Sequence, residues 1–190
     1  MNNIFDYTKL NKSIMVFIDM QEKLINAMPV EIKDTINRQQ RLLKALSVLN
    51  MPVIITEQYS KGLGNTIAPL KKYFNPDWPI IEKNTFSCMG SEEVKDKLAL
   101  SGKKIIILAG IETHVCVLQT ALDCIKEGYQ VIILHDAVCS RNSIDKETAF
   151  ITAQNAGVLS LTVESLLFML LQDSKHPDFK KVSKILASSD

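Results

Sequence analysis

The sequence predicts a three-layer α/β/α fold, a Rossmann-like parallel six-stranded sheet with helices on both faces. Three observations carry this. Short apolar runs alternate with stretches of helical periodicity, a pattern that builds a sheet flanked by helices. The strand candidates are apolar throughout, so both of their faces are covered. Helical crossovers between them join successive parallel strands with a single handedness.

The elements follow in order. Residues 13–19, SIMVFID, read as a buried strand ending on an acid. Residues 31–50 place Ile32, Ile36, Leu42, Leu43, Leu46 and Leu49 at helical spacing. MPVIITE (51–57) is strand, with Pro52 at its start, where a missing donor is tolerated. WPIIEK (78–83) is a third strand. SEEVKDKLALSG (91–102) is a helix capped by Ser91, acidic in its first turn and stopped by Gly102. KKIIILAG (103–110) is a buried strand, and residues 113–128 a helix capped by Thr113 and stopped by Gly128. YQVIILHD (129–136) is strand, and residues 143–157 a helix opened by Ser143 and closed by Gly157. VLSLTVES (158–165) is a last strand running into the helix SLLFMLLQD. In the tail, residues 178–188, Phe179, Val182, Ile185 and Leu186 share one side, to pack on the domain or on a neighbouring subunit.

The bulk numbers fit this reading. A chain of 190 residues, 46% hydrophobic and 23% charged, suits a soluble domain with a sizeable core. One domain is expected over residues 1–190, with its core at about 12–172 and a helical tail at 176–190. Net charge is +1, which offers no electrostatic case for nucleic acid or a membrane surface. The opening MNNIFDYTKLNK lacks the apolar core of a leader, and no apolar run spans a bilayer, so a cytoplasmic location is expected. The four cysteines, Cys88, Cys116, Cys124 and Cys139, form no CxxC pair, and neither a disulfide frame nor a zinc site is indicated.

In open parallel sheets ligands sit beyond the carboxyl ends of the strands. The first strand ends at Asp19, the third at Lys83, and the fourth at Gly110 and the turn that delivers Cys116. An acid, an ammonium and a thiol are thus expected at one sheet edge. With Thr113 as cap, Cys116 lies in a first helical turn, whose free N–H groups favour a negative charge. Lys83 lowers the thiol pKa further, from about 8.5 for free cysteine, so a thiolate is expected near neutral pH. Asp19 can take the thiol proton and later pass it to a leaving group. Cys88, Cys124 and Cys139 read as structural.

The stretches VFIDMQ (16–21), EKNTFSC (82–88) and GIETHVCVLQTALD (110–123) resemble the isochorismatase-like hydrolase superfamily. It includes cysteine hydrolases such as nicotinamidases and N-carbamoylsarcosine amidohydrolases. TEQYSKGLG (56–64), HDAVCSR (135–141) and AGVLSLTVESLLF (156–168) are similar to its subgroup of isochorismatase domain-containing proteins. The resemblance runs from about residue 12 to about 172. It implies an Asp–Lys–Cys triad at Asp19, Lys83 and Cys116, a cis peptide at Ile111–Glu112, and an oxyanion hole from the backbone N–H groups of Glu112 and Cys116. It implies amide or related C–N hydrolysis through a thioester, and a homo-oligomer, dimer or larger.

Nicotinamidases of this superfamily carry an Asp-x-His metal cluster after the second strand. TEQYSKG has no histidine there, so no metal and no other cofactor is expected. The partner is a small-molecule substrate, whose pocket walls are read at Gln21, Gln58, Tyr59, Phe86, Thr113 and His114. His135 and Asp136 read as structural. Two alternatives remain: a vinyl-ether hydrolase of isochorismatase type, and a non-catalytic oligomeric interaction module. A dinucleotide site is disfavoured, because no glycine-rich turn follows the first strand.

Overall fold

A computed structural model describes residues 5–188. Residues 1–4, part of the opening stretch read above for a leader, and 189–190, the end of the expected tail, lie outside the described residues. After a 3₁₀ segment at Tyr7–Lys12, strand β1 (Ser13–Ile18) leads through α1 (Glu22–Ile25) to α2 (Ile32–Val48) and β2 (Val53–Gln58). Two single turns, α3 (Ser60–Leu63) and α4 (Ala68–Lys71), precede β3 (Ile80–Lys83), α5 (Glu92–Ser101) and β4 (Ile105–Ile111). A π-wound turn at Thr113–Val117 continues into α6 (Leu118–Lys126). Then come β5 (Gln130–Cys139), α7 (Ser143–Asn155), β6 (Leu159–Leu161), α8 (Val163–Leu171) and α9 (Phe179–Ala187).

The six strands form one sheet in the order β3-β2-β1-β4-β5-β6. Every pairing is parallel. Side-chain alternation splits the core in two. Met15 and Phe17 of β1 point to the face covered by α2, α8 and α9, with Leu42, Leu46, Leu166 and Val182. Ile14, Val16 and Ile18 point to the face covered by α5, α6 and α7, with Leu98, Val117, Ala121 and Phe150. The tail packs on its own chain: Val182 is fully buried, and Phe179, Ile185 and Leu186 lie against the first cluster.

The differences from the sequence reading are local. The single turns α1, α3 and α4 are too short to show a period. Asn142, and not Ser143, holds the position before α7. The last strand stops at Leu161 because the Thr162 hydroxyl accepts from the Ser165 N–H at 3.2 Å and starts α8. Strand β5 runs three residues further than read. Its register against β4 shifts, so that residues 134–137 stand opposite Ala109 alone. Lys146 Nζ spans this irregularity, donating to the carbonyls of His135 (3.0 Å) and Val138 (2.9 Å). The neighbouring pair is structural: the His135 ring stacks on Phe150, and Asp136 accepts from the Val163 N–H at 2.8 Å.

The order reverses between β1 and β4, the switch point where open α/β sheets bind ligands. Gly110 sits beside this point at φ 120°, and a Cβ there would overlap the Ile18 carbonyl oxygen. Only glycine allows β4 to lie this close to the end of β1. Gly110→Ala is therefore expected to cost about 3 kcal/mol or more, from crowding and left-handed strain together. Urea unfolding midpoints of the two proteins check this.

Candidate active site

Asp19 follows the last residue of β1 in a left-handed conformation, φ 51°. Aspartate tolerates that region better than most residues, yet the conformation persists only where neighbours enforce it. Here the Asp19 N–H donates to Thr56 O at 3.1 Å, and its carbonyl accepts from the Gln21 N–H at 2.8 Å. The turn drives the carboxylate under the sheet edge, where it is fully buried. Oδ1 accepts from the Thr56 hydroxyl at 2.7 Å and Oδ2 from Lys83 Nζ at 2.6 Å.

Lys83 closes β3 and is 3% exposed. Its ammonium also donates to Gln58 Oε1 (2.7 Å) and to the carbonyls of Thr85 (3.1 Å) and Phe86 (3.2 Å), and lies 3.8 Å from Cys116 Sγ. Burial pushes the Lys83 pKa down, but the Asp19 charge and its hydrogen bond oppose it, and the net shift is upward. The residue is an ammonium at rest.

Cys116 is 6% exposed and lies in the π-wound turn. The Glu112 carbonyl accepts from the N–H groups of both Val115 (3.1 Å) and Val117 (3.2 Å), which widens this turn beyond an α-helical one. Thr120 fixes it from inside: its hydroxyl donates to Cys116 O at 2.6 Å and accepts from the Cys88 N–H at 2.9 Å. Thr113 does not cap the helix as expected. Its hydroxyl is buried without a hydrogen-bond partner, and Glu112 takes the cap position.

The resting state of the sulfur also departs from expectation. Burial first, and then the charge of Asp19 and its hydrogen bond to the thiol, push the Cys116 pKa up to about 12, against the opposing pull of Lys83. This upward shift favours a thiol over the expected thiolate. Sequence spacing located the cation and the helix start but not the desolvation, which outweighs both.

The Ile111–Glu112 peptide bond is cis. Glu112 Oε2 accepts from the N–H (3.0 Å) and Nε (3.1 Å) of Arg141, just beyond β5. His114 Nδ1 lies 3.0 Å from Ser140 Oγ, and Nε2 is 3.9 Å from Asp145. The turn after β4 is thus fastened to the segment after β5. Of the expected pocket walls, Tyr59 and Phe86 are 51% and 56% exposed; the Tyr59 N–H donates to Lys83 O, and the Phe86 carbonyl accepts from Lys83 Nζ. Gln21 is fully buried instead, bonded to the Gln58 backbone and to Gly64 O, and ties two loops together. Gln58 spends both ends of its amide, on Lys83 and on Asn84 O (2.7 Å). Thr56 and Thr120 are the partners that sequence reading missed, and Gln58, read as a pocket wall, is instead bonded to Lys83; a strand or helix position alone does not reveal a side-chain hydrogen bond. Among the described residues, no three His, Cys, Asp or Glu side chains gather as a metal would need.

A family model for the isochorismatase domain matches residues 13–165. The chain belongs to the isochorismatase-like hydrolase family. Isochorismatase family protein 1A of Dictyostelium discoideum is 39% identical over 90% of this chain and 84% of its own length. The structure of MAR1 ribonuclease from Caenorhabditis elegans superposes with a TM-score of 0.87 at 38% identity, over 93% of this chain and 90% of that one. Escherichia coli YcaC, described as an octameric hydrolase of unknown specificity, superposes at 0.83 with 26% identity, over 93% and 94%.

Two expectations follow from the buried charges. Lys83→Met leaves the Asp19 carboxylate buried without its counter-ion and is expected to cost about 3–5 kcal/mol, whereas Arg141→Ala removes a half-exposed pair and costs about 1 kcal/mol or less. Chemical denaturation of both variants tests the contrast. The second is a pH dependence. Burial raises the pKa values of Cys88 to about 11 and of Cys116 and Cys124 to about 12, from an ordinary 9.0. Lys83 is also raised, from 10.5, while Lys146 is lowered by burial and opposes the trend. The folded state therefore holds more protons than the unfolded one above pH 9. Stability from these groups is complete below that pH and lost as pH climbs toward their folded values. Unfolding free energies measured from pH 7 upward should decline once pH passes about 9.

Proposed function

We propose that this chain is a cysteine-dependent hydrolase of a small amide or related C–N bond, acting through a thioester. The observation that carries this is the buried contact of three residues remote in sequence: Lys83 Nζ at 2.6 Å from Asp19 and 3.8 Å from Cys116 Sγ. A thiol beside an ammonium that is itself paired with a carboxylate has both a base and a compensating charge close at hand.

The proposed reaction starts from the neutral thiol. As Cys116 Sγ attacks the carbonyl carbon, its proton passes to Asp19 and an S–C bond forms. The oxyanion is received by the backbone N–H groups of Glu112 and Cys116; such a donor is typically worth ~10²–10³ in rate. Asp19 then protonates the departing nitrogen as the C–N bond breaks. Water attacks the thioester, Asp19 takes the water proton, the C–S bond breaks, and the sulfur is reprotonated. Lys83 stays charged throughout and offsets the negative charge shared by Asp19 and Cys116.

Sulfur beside the acid–cation pair favours acyl chemistry over vinyl-ether cleavage, which needs only an acid. A net charge of +1 gives no surplus for a polyanion, so the reading for this chain differs from the ribonuclease description of its nematode neighbour. We take the chain as one isochorismatase-like domain that assembles into a homo-oligomer, a reading the octameric YcaC supports. The four unbridged, buried cysteines suit the reducing cytoplasm. Among the described residues no helix is long and apolar enough to cross a membrane.

On a panel of small primary amides, Cys116→Ala is expected to reduce turnover to background and Asp19→Asn to lower it by ~10²–10⁴. Iodoacetamide should label Cys116 ahead of the other three thiols, and Asp19→Asn should remove that preference. Equal, slow labelling of all four cysteines would end the reading.

A further inference from the structure

The Lys83 ammonium sits on a flexible four-carbon stem, and a flexible cation serves the pair beside it only if it is held in place. Its two shortest hydrogen bonds are to Asp19 Oδ2, at 2.6 Å, and to Gln58 Oε1, at 2.7 Å. The two backbone carbonyls, Thr85 and Phe86, are more distant at 3.1 and 3.2 Å.

An amide has chemically distinct ends, and both ends of Gln58 are committed. Its NH₂ donates to Asn84 O at 2.7 Å, which leaves the oxygen for the ammonium. The Gln58 main chain is itself clamped. Its N–H donates to Gln21 Oε1 at 2.7 Å, and its carbonyl accepts from Gln21 Nε2 at 2.9 Å. Gln21 is fully buried and also reaches Gly64 O at 2.7 Å. The next residue, Tyr59, turns at φ 37° with its N–H on Lys83 O at 3.0 Å, so β2 and β3 are locked where the two side chains meet. A line of hydrogen bonds therefore runs from Gln21 through Gln58 to Lys83, and on to Asp19.

We propose that Gln58 is a positioning residue of this site, whose side-chain oxygen holds the Lys83 ammonium against Asp19 and Cys116 while Gln21 anchors Gln58. This rests on the cysteine-hydrolase reading above. The role is one of placement: both ends of the Gln58 amide are spent, on Lys83 Nζ and Asn84 O, so it acts on the site through the ammonium. It requires an oxygen acceptor at this position, which glutamate keeps and methionine, of similar length, does not.

The test compares the native chain with Gln58→Met and Gln58→Glu. The rate of iodoacetamide labelling at Cys116 is followed by peptide mass spectrometry at neutral pH, with thermal unfolding recorded for each protein. A crystal structure of Gln58→Met locates Lys83 Nζ. The expected result is a loss of about tenfold or more in labelling for Gln58→Met with Nζ displaced, and a rate within about threefold of native for Gln58→Glu. A Gln58→Met protein that is less stable but labelled at the native rate, with Nζ unmoved, overturns the proposal. Should Gln58→Met fail to fold, a tenfold loss in Gln58→Glu, which still offers the oxygen, overturns it equally. The two readings fail differently. A native Cys116 no faster than Cys88, Cys124 and Cys139 removes the nucleophile itself and the proposal with it. A fast native Cys116 left unchanged by Gln58→Met removes only the role of Gln58.

Discussion

Two opposite charges share a space from which water is excluded. Asp19 and Lys83 have side-chain exposures of zero, and neither charge could remain there without the other. The rest of the site follows from that requirement. The pair needs a strand end on each side of β2 to bring it together, hydrogen bonds for every remaining lone pair and proton, and a low-dielectric roof. Thr56, Gln58 and the Thr85 and Phe86 carbonyls supply the hydrogen bonds. The burial that makes the ion pair obligatory also keeps the adjacent sulfur protonated.

That last point changes the chemical picture. A resident thiolate would be reactive toward any electrophile. In the proposed reaction a thiol beside a carboxylate gives up its proton as the new bond forms, so nucleophilicity toward a carbonyl or an alkylating probe alike arises at the moment of attack. In that proposed reaction the cation offsets the charge at that moment and is not required to hold an anion on sulfur at rest.

The layers were legible because the central strands β1 and β4 are buried on both faces and read as near-continuous apolar runs; the short edge strands β3 and β6, only partly covered, were legible from their alternation with helices. Asp19, Lys83 and Cys116 were legible for a related reason: strand ends in such a sheet share one edge, so a charged residue closing an apolar run is already placed. What escaped reading has physical causes. The turns α1, α3 and α4 hold four residues each, less than two periods. The hydroxyl bonds of Thr56 and Thr120, and the two interlocked glutamines, join residues 37, 4 and 37 apart, and nothing in local pattern signals them. The protonation of Cys116 depends on how much water the fold removes, which spacing does not encode.

The π-wound turn at Thr113–Val117 bears on how this architecture tolerates change in length. A π turn holds more chain per revolution than the 3.6 residues of an α-helix, so it stores slack immediately ahead of α6. Excision of a single residue there would let the coil tighten without disturbing Leu118–Lys126, and the protein would still fold. The sulfur, however, would be swung around the helix axis by roughly a quarter turn and off its neighbours. Shortening of this segment by one residue is thus a route by which a descendant could keep the scaffold and silence the chemistry.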